Sequence, residues 1–95
     1  MPGYNRAELN AELTIIPSRE AENSPQSQIE VAKQAASDSG LAREAGPETT
    51  VLTGRRSEVL EAVRRVIDAS LDAGAHVVQV RVEAEAEATR FHVKS

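Results

Sequence analysis

The chain has 95 residues, of which 40% are hydrophobic and 27% are charged, with a net charge of −4 and no cysteine. This length and composition fit one small globular domain and exclude an intrinsically disordered chain. Without cysteine there are no disulfides, thiolate metal sites or cysteine nucleophiles, and the acidic balance disfavours nucleic-acid binding, which depends on clustered Lys and Arg.

The sequence contains no recognisable targeting segment or membrane span. No stretch approaches the roughly 18 uninterrupted apolar residues of a spanning helix, and residues 1–6 lack the apolar core of a signal peptide. We therefore expect a cytoplasmic protein that contacts neither a membrane nor nucleic acid.

The first regular elements in the chain are a predicted strand and a predicted helix. Apolar and polar residues alternate over 8–16, which is typical of a strand buried on one face, and Pro17 ends it. Ser24 and Pro25 have the chemistry of a helix N-cap and first turn, and Gly40 that of a helix end. The predicted inward face of this helix consists of Ile29, Ala32 and Ala36.

A hairpin, a second helix and a last strand follow. Residues 41–45 and 49–53 predict the two strands of the hairpin, with turn residues between them. Ser57 is the predicted N-cap of the second helix, which has the clearest helical periodicity and ends at Gly74. Residues 78–84 alternate as a final strand, and the tail beyond it can continue the strand or form a helix.

The predicted order of elements, β-α-β-β-α-β, specifies a fold. It predicts an α+β ferredoxin-like domain with a four-stranded antiparallel sheet and two helices on one face. We expect one domain over 1–95, in which 1–6 and 86–95 are flexible ends or contact other subunits. The opposite face of the sheet, which can be solvated, bind a ligand or pack on a second subunit, is predicted to carry Glu12, Thr14, Ile16, Gln79 and Arg81.

Several segments resemble the thiamine-binding protein family, the YkoF-like proteins. The resemblance runs through 11–17, 39–41 and 73–75, and its most specific piece is the pattern E-x-G-P-x-x-T-x-x-x-G. That pattern is met by Glu44, Gly46, Pro47, Thr50 and Gly54. The resemblance implies the ferredoxin-like fold, assembly into dimers and tetramers through the sheets, and binding of thiamine or its hydroxymethylpyrimidine portion.

Thiamine presents an aminopyrimidine edge and a cationic thiazolium ring. A pocket that binds it therefore needs a carboxylate, a hydroxyl or amide group, and apolar walls. Glu44 is the candidate carboxylate, and the other candidate ligand-binding residues are Thr50, Ser24, Gln79 and Ile16. Three of them also have a purely structural interpretation: Glu44 as a solvated strand residue, Thr50 as a β-former and Ser24 as a helix cap. Gln79 can instead lie at a subunit interface.

Catalysis is the least favoured class of function. His76 and His92 have no neighbouring nucleophile or carboxylate motif, and the alternating carboxylates at 83–87 are more typical of a solvated strand end than of a metal site. We predict a non-enzymatic small-molecule-binding protein without metal or cofactor that forms a homo-oligomer, a dimer of dimers. The alternative is a structural or regulatory oligomeric module that binds no thiamine.

Overall fold

A computed structural model describes residues 8–43 and 45–84 of the chain. The elements in chain order are β1 (Glu8–Ile16), α1 (Pro25–Asp38), β2 (Ala42–Arg43), β3 (Thr49–Arg55), α2 (Arg56–Asp72) and β4 (Val77–Ala84). The predicted order of elements is therefore confirmed. No helix in these two ranges is long and apolar enough to cross a membrane.

The four strands form one antiparallel sheet in the order β2-β3-β1-β4. The central strand β1 pairs along its length with both β3 and β4, so that Leu13 lies opposite Thr50 on one side and Val80 on the other. With both helices on one face, this is the α+β ferredoxin-like fold that the sequence predicts.

The core lies between the helices and the side chains of β1 that alternate inward. The side chains that alternate with them along β1, such as Glu12, lie outside the core because successive side chains of a strand point to opposite faces of the sheet. Small residues on α1 let the helices and the sheet approach closely. The residues of this core with at most 1% exposure are Ala11, Leu13, Ile15, Ala32, Ala36, Leu52, Val59 and Val66.

Helix α1 begins and ends where the sequence predicts. The Ser24 hydroxyl accepts a hydrogen bond from the Ser27 N–H at 3.1 Å, and Pro25 occupies the first turn. Gly40 follows the helix with a φ of 78°, a conformation that glycine adopts without strain. Ile29 packs at the edge of the core.

The start of α2 differs from its prediction. The helix begins at Arg56, its N-cap is Arg55 without a side-chain cap hydrogen bond, and Ser57 lies exposed inside the first turn. The prediction of Ser57 as the cap is wrong because Arg55 is still paired with Glu8 in the sheet, so that the strand runs directly into the helix.

The hairpin and the chain ends are only partly described by the structure. Strand β2 is shorter than the predicted 41–45, and Glu44 lies outside the described residues. The predicted flexible or subunit-contacting ends, 1–6 and 86–95, also lie outside them, as does the choice between strand and helix for the tail.

Candidate ligand-binding groove beside helix α1

A groove of about 870 Å³ opens beside the first half of α1, between the loop that follows β1 and the turn that precedes β3. We call it the α1 groove. Its walls are formed by Pro17, Arg19, Pro25, Gln26, Ile29, Glu30, Lys33, Pro47 and Glu48. This size is in the range of small-molecule sites. Three of the chain's four prolines line the groove, and their fixed φ angles give it stiff apolar walls.

The loop between β1 and α1 is held in place by Gln28. This side chain is fully buried, and its amide satisfies three backbone groups of the loop. Gln28 Nε2 donates to the carbonyls of Ser18 and Asn23 at 2.8 Å each, and Oε1 accepts from the Ser18 N–H at 2.9 Å. The loop wall of the α1 groove is therefore fixed to the helix behind it.

The same loop is also attached to the end of α2. Asn23 Nδ2 donates to the Ala73 carbonyl at 2.9 Å and so caps the helix C-terminus. Gly74 follows with a φ of 108°, and a Cβ on it would lie 2.6 Å from the Cβ of Ala21. Only glycine permits this approach of the loop to the helix end.

The turn that forms the other wall is tied to α1 by Lys33. Lys33 Nζ donates to the carbonyls of Gly46 and Thr49, each at 2.8 Å. The Ile15 N–H donates to the Glu48 carbonyl at 2.9 Å, which continues the sheet hydrogen bonding to the edge of the groove. Both walls of the groove are thus anchored to regular secondary structure.

The groove has separate apolar and charged parts. Arg19, Glu30 and Glu48 are exposed at its rim, and none of them takes part in the ion pairs formed within residues 8–43 and 45–84. The Lys33 ammonium is occupied by two carbonyl oxygens. Two carboxylates are therefore open to a cationic ligand at the edge of apolar walls.

The structure divides the residues singled out by sequence between two faces. Ser24 is exposed at the start of α1, next to the groove wall, and Thr50 is 5% exposed on the helix-covered face of the sheet. Ile16 and Gln79 lie on the opposite face, where both are exposed. Glu44 lies outside the described residues.

The open face of the sheet is polar, as predicted, and several of its side chains pair with each other. Asn10 Oδ1 accepts from the Thr53 hydroxyl at 2.7 Å, and Arg81 Nη2 contacts Glu83 Oε2 at 2.7 Å. In the part of the chain that the structure describes, no cluster of His, Asp and Glu side chains could hold a metal ion.

Sequence reasoning missed the groove-forming residues Gln28 and Lys33. The position of Gln28 contained a signal, because it lies four residues before Ala32 and eight before Ala36 on the same helical stripe. A polar residue in line with a buried stripe must find partners inside the protein. For Lys33 the sequence offered no comparable signal, since its partners are backbone carbonyls of a distant turn.

Comparison with known protein families tests the family resemblance that the sequence segments indicate. The family described as thiamine-binding protein matches residues 11–91, which include both walls of the α1 groove. The chain belongs to the thiamine-binding protein family. No curated protein sequence matches it.

Solved structures share the fold of this thiamine-binding family member. A candidate thiamine biosynthesis/salvage protein from Thermotoga maritima superposes with a TM-score of 0.68 at 21% identity, over 84% of this chain and 86% of that one. A domain of unknown function, DUF77, from Bacillus cereus gives 0.66 at 24% identity, over 84% and 76%. A hypothetical protein from Methanocaldococcus jannascii gives 0.61 at 23% identity, over 82% and 78%.

Proposed function

We propose that this protein binds thiamine or its hydroxymethylpyrimidine portion in the α1 groove, without catalysing a reaction. The observation that carries the proposal is the family match over 11–91, because it spans every residue that lines the groove. The salvage assignment of the Thermotoga maritima structure, although that protein is only 21% identical, points to the same ligand class.

The chemistry of the groove suits such a ligand. Pro17, Ile29 and Pro47 offer apolar surfaces for a flat ring, in a chain whose only aromatic residues are one tyrosine and one phenylalanine. Glu30 and Glu48 offer carboxylates that can offset the thiazolium charge or accept from the pyrimidine amino group. The anchored walls reduce the cost of ordering the site on binding.

Three of the residues first singled out by sequence have proposed roles around this groove. Glu44 directly precedes the turn at 45–48 and is proposed as a further carboxylate for the ligand. Ser24 and Thr50 are proposed to support the ligand from the helix start and from the adjacent strand. Ile16 and Gln79 point away from the groove, and a ligand contact by them requires a site on the open face.

A thermal-shift experiment tests ligand binding directly. Thiamine, its phosphates and hydroxymethylpyrimidine are each added at millimolar concentration, and the melting temperature is recorded. A ligand present at a hundredfold excess over its dissociation constant stabilises the folded protein by about 2.7 kcal/mol, which raises the melting temperature measurably. If none of these compounds changes the melting temperature, the structural or regulatory module becomes the better account.

We also propose that the protein assembles as a homotetramer of two dimers in the cytoplasm. Strand β4 is a sheet edge, and the open sheet face is mixed in polarity, so both are suited to contacts between copies. Analytical ultracentrifugation at micromolar concentration is expected to give the tetramer mass. Sedimentation as a monomer alone would contradict the assembly without bearing on ligand binding.

A further inference from the structure

Four large apolar side chains are exposed on α2 and β4. Val80 and Val82 on β4 are 38% and 44% exposed, and Leu60 and Leu71 on α2 are 46% and 52% exposed. We call these four residues the α2–β4 apolar surface. Exposed apolar side chains that lie side by side, unlike singly scattered ones, indicate a surface that another segment or molecule covers.

Helix geometry places the two leucines on one side of α2. Leu60 and Leu71 are eleven positions apart, about three turns, and therefore lie on the same side. The buried residues Ala62 and Ala73 lie on the opposite side of the helix. Ile67, which lies between the leucines on the same side, is partly buried against the core.

Sheet register places the two valines on the face that the helices cover. Val80 pairs with Leu13 and Val82 with Ala11, and both partners are fully buried core residues. The valines are nevertheless exposed because β4 is the sheet edge, and α2 packs mainly on β1 and β3 and only lightly on β4. The flank beside α2 thus has apolar residues and no covering element within residues 8–43 and 45–84.

The chain itself continues from this flank. Strand β4 ends at Ala84, and the family match extends beyond it to residue 91. The segment 85–91 contains Phe91, whose side chain can cover on the order of 150–250 Å². Seven residues reach about 25 Å when extended, whereas the return from Ala84 to Val80 is about 13 Å.

The N-terminal residues 1–7 are the other segment of this chain that could cover the α2–β4 apolar surface. They lead into β1 beside the end of β4, where Leu9 pairs with Ala84, and they contain the aromatic residue Tyr4. They lie outside the family match, which begins at residue 11. Residues 85–91 lie inside it, which favours them over residues 1–7 as the segment that covers this surface.

We propose that residues 85–91 fold back over the α2–β4 apolar surface of their own chain, with Phe91 as the side chain that covers Leu60 and Val82. The assignment concerns the flank away from the α1 groove, and it does not depend on which ligand the groove binds.

A tryptophan probe tests this docking, since the chain contains no tryptophan. In the Phe91→Trp variant we expect the fluorescence emission of the folded protein to lie at shorter wavelength than that of the urea-unfolded protein. Adding Val82→Lys in the same chain should shift the folded emission to longer wavelength. The matched control is Gln79→Lys, on the same strand and the opposite face, which should leave the emission unchanged.

Three results would overturn the proposal. The first is a solvent-like emission in Phe91→Trp alone, and the second is an equal shift by Val82→Lys and Gln79→Lys. For the third, the Phe91→Trp/Val82→Lys chain is unfolded and refolded together with a Phe91→Ala chain, whose own surface is intact. Recovery of the short-wavelength emission there means that the segment docks on a second copy, whereas an unchanged emission supports docking within one chain.

Discussion

Gln28 is a polar side chain with no exposure to solvent, and its amide meets three backbone groups of the β1–α1 loop. Because a buried polar group that loses its partner keeps the full cost of its desolvation, this side chain fixes the loop at Ser18 and at Asn23. The loop carries Pro17 and Arg19 of the α1 groove. A single glutamine therefore connects the packing of the core to the shape of the site.

Replacing Gln28 by Leu should lower the free energy of unfolding by about 1–3 kcal/mol, because it leaves the backbone groups of Ser18 and Asn23 without partners. The matched control is Gln34→Leu on the same helix, where the exposed amide donates to Asp38. That change should stay within about 0.5 kcal/mol. Urea unfolding of both variants makes the comparison, and equal losses would refute a special role for Gln28.

The junction of α2 with the β1–α1 loop depends on close approach at Gly74. The Asn23 side chain caps the last turn of the helix, and the loop passes so near that no Cβ fits at Gly74. The C-terminal end of α2 thereby supports the loop that forms one wall of the α1 groove. Gly40, after α1, has a similar positive φ of 78° but has open space around it.

The two glycines allow a matched test at the level of the element. Gly40→Ala should lower the free energy of unfolding by about 1–2 kcal/mol, which is the penalty of a left-handed conformation for an L residue. Gly74→Ala should cost the same and in addition about 1–3 kcal/mol for the overlap with Ala21. Thermal and urea unfolding measure both. A loss for Gly74→Ala no larger than that for Gly40→Ala would mean that the loop moves away at no cost.

Sequence reasoning succeeded where a pattern is local. The period-two segments gave β1 and β4, and the capping residues Ser24 and Gly74 gave the correct helix ends. It failed at Ser57, because pairing of Arg55 with a strand far away in sequence sets the start of α2. It also missed the α1 groove, whose two walls are about thirty residues apart in the chain and meet only in the folded state.

In the molecule as a whole, the sheet separates two surfaces with different properties. The helix-covered side has the anchored α1 groove, with stiff apolar walls and two open carboxylates. The open sheet face has polar side chains that pair with each other, across strands between Asn10 and Thr53 and within β4 between Arg81 and Glu83, and β4 lies at the sheet edge. We assign the ligand to the first surface and the contacts between subunits to the second, and this division is the central claim.

Calorimetric titration of thiamine into three forms of the protein tests that claim most directly. The parent should bind, and the groove variant Glu30→Gln/Glu48→Gln should bind at least about tenfold more weakly, since one charged hydrogen bond contributes about 1.5–3 kcal/mol. The control Glu12→Gln/Glu83→Gln removes the same charge from the open face and should bind as the parent does. Equal affinity of the groove variant and the parent, with weaker binding by the open-face variant, would contradict the account.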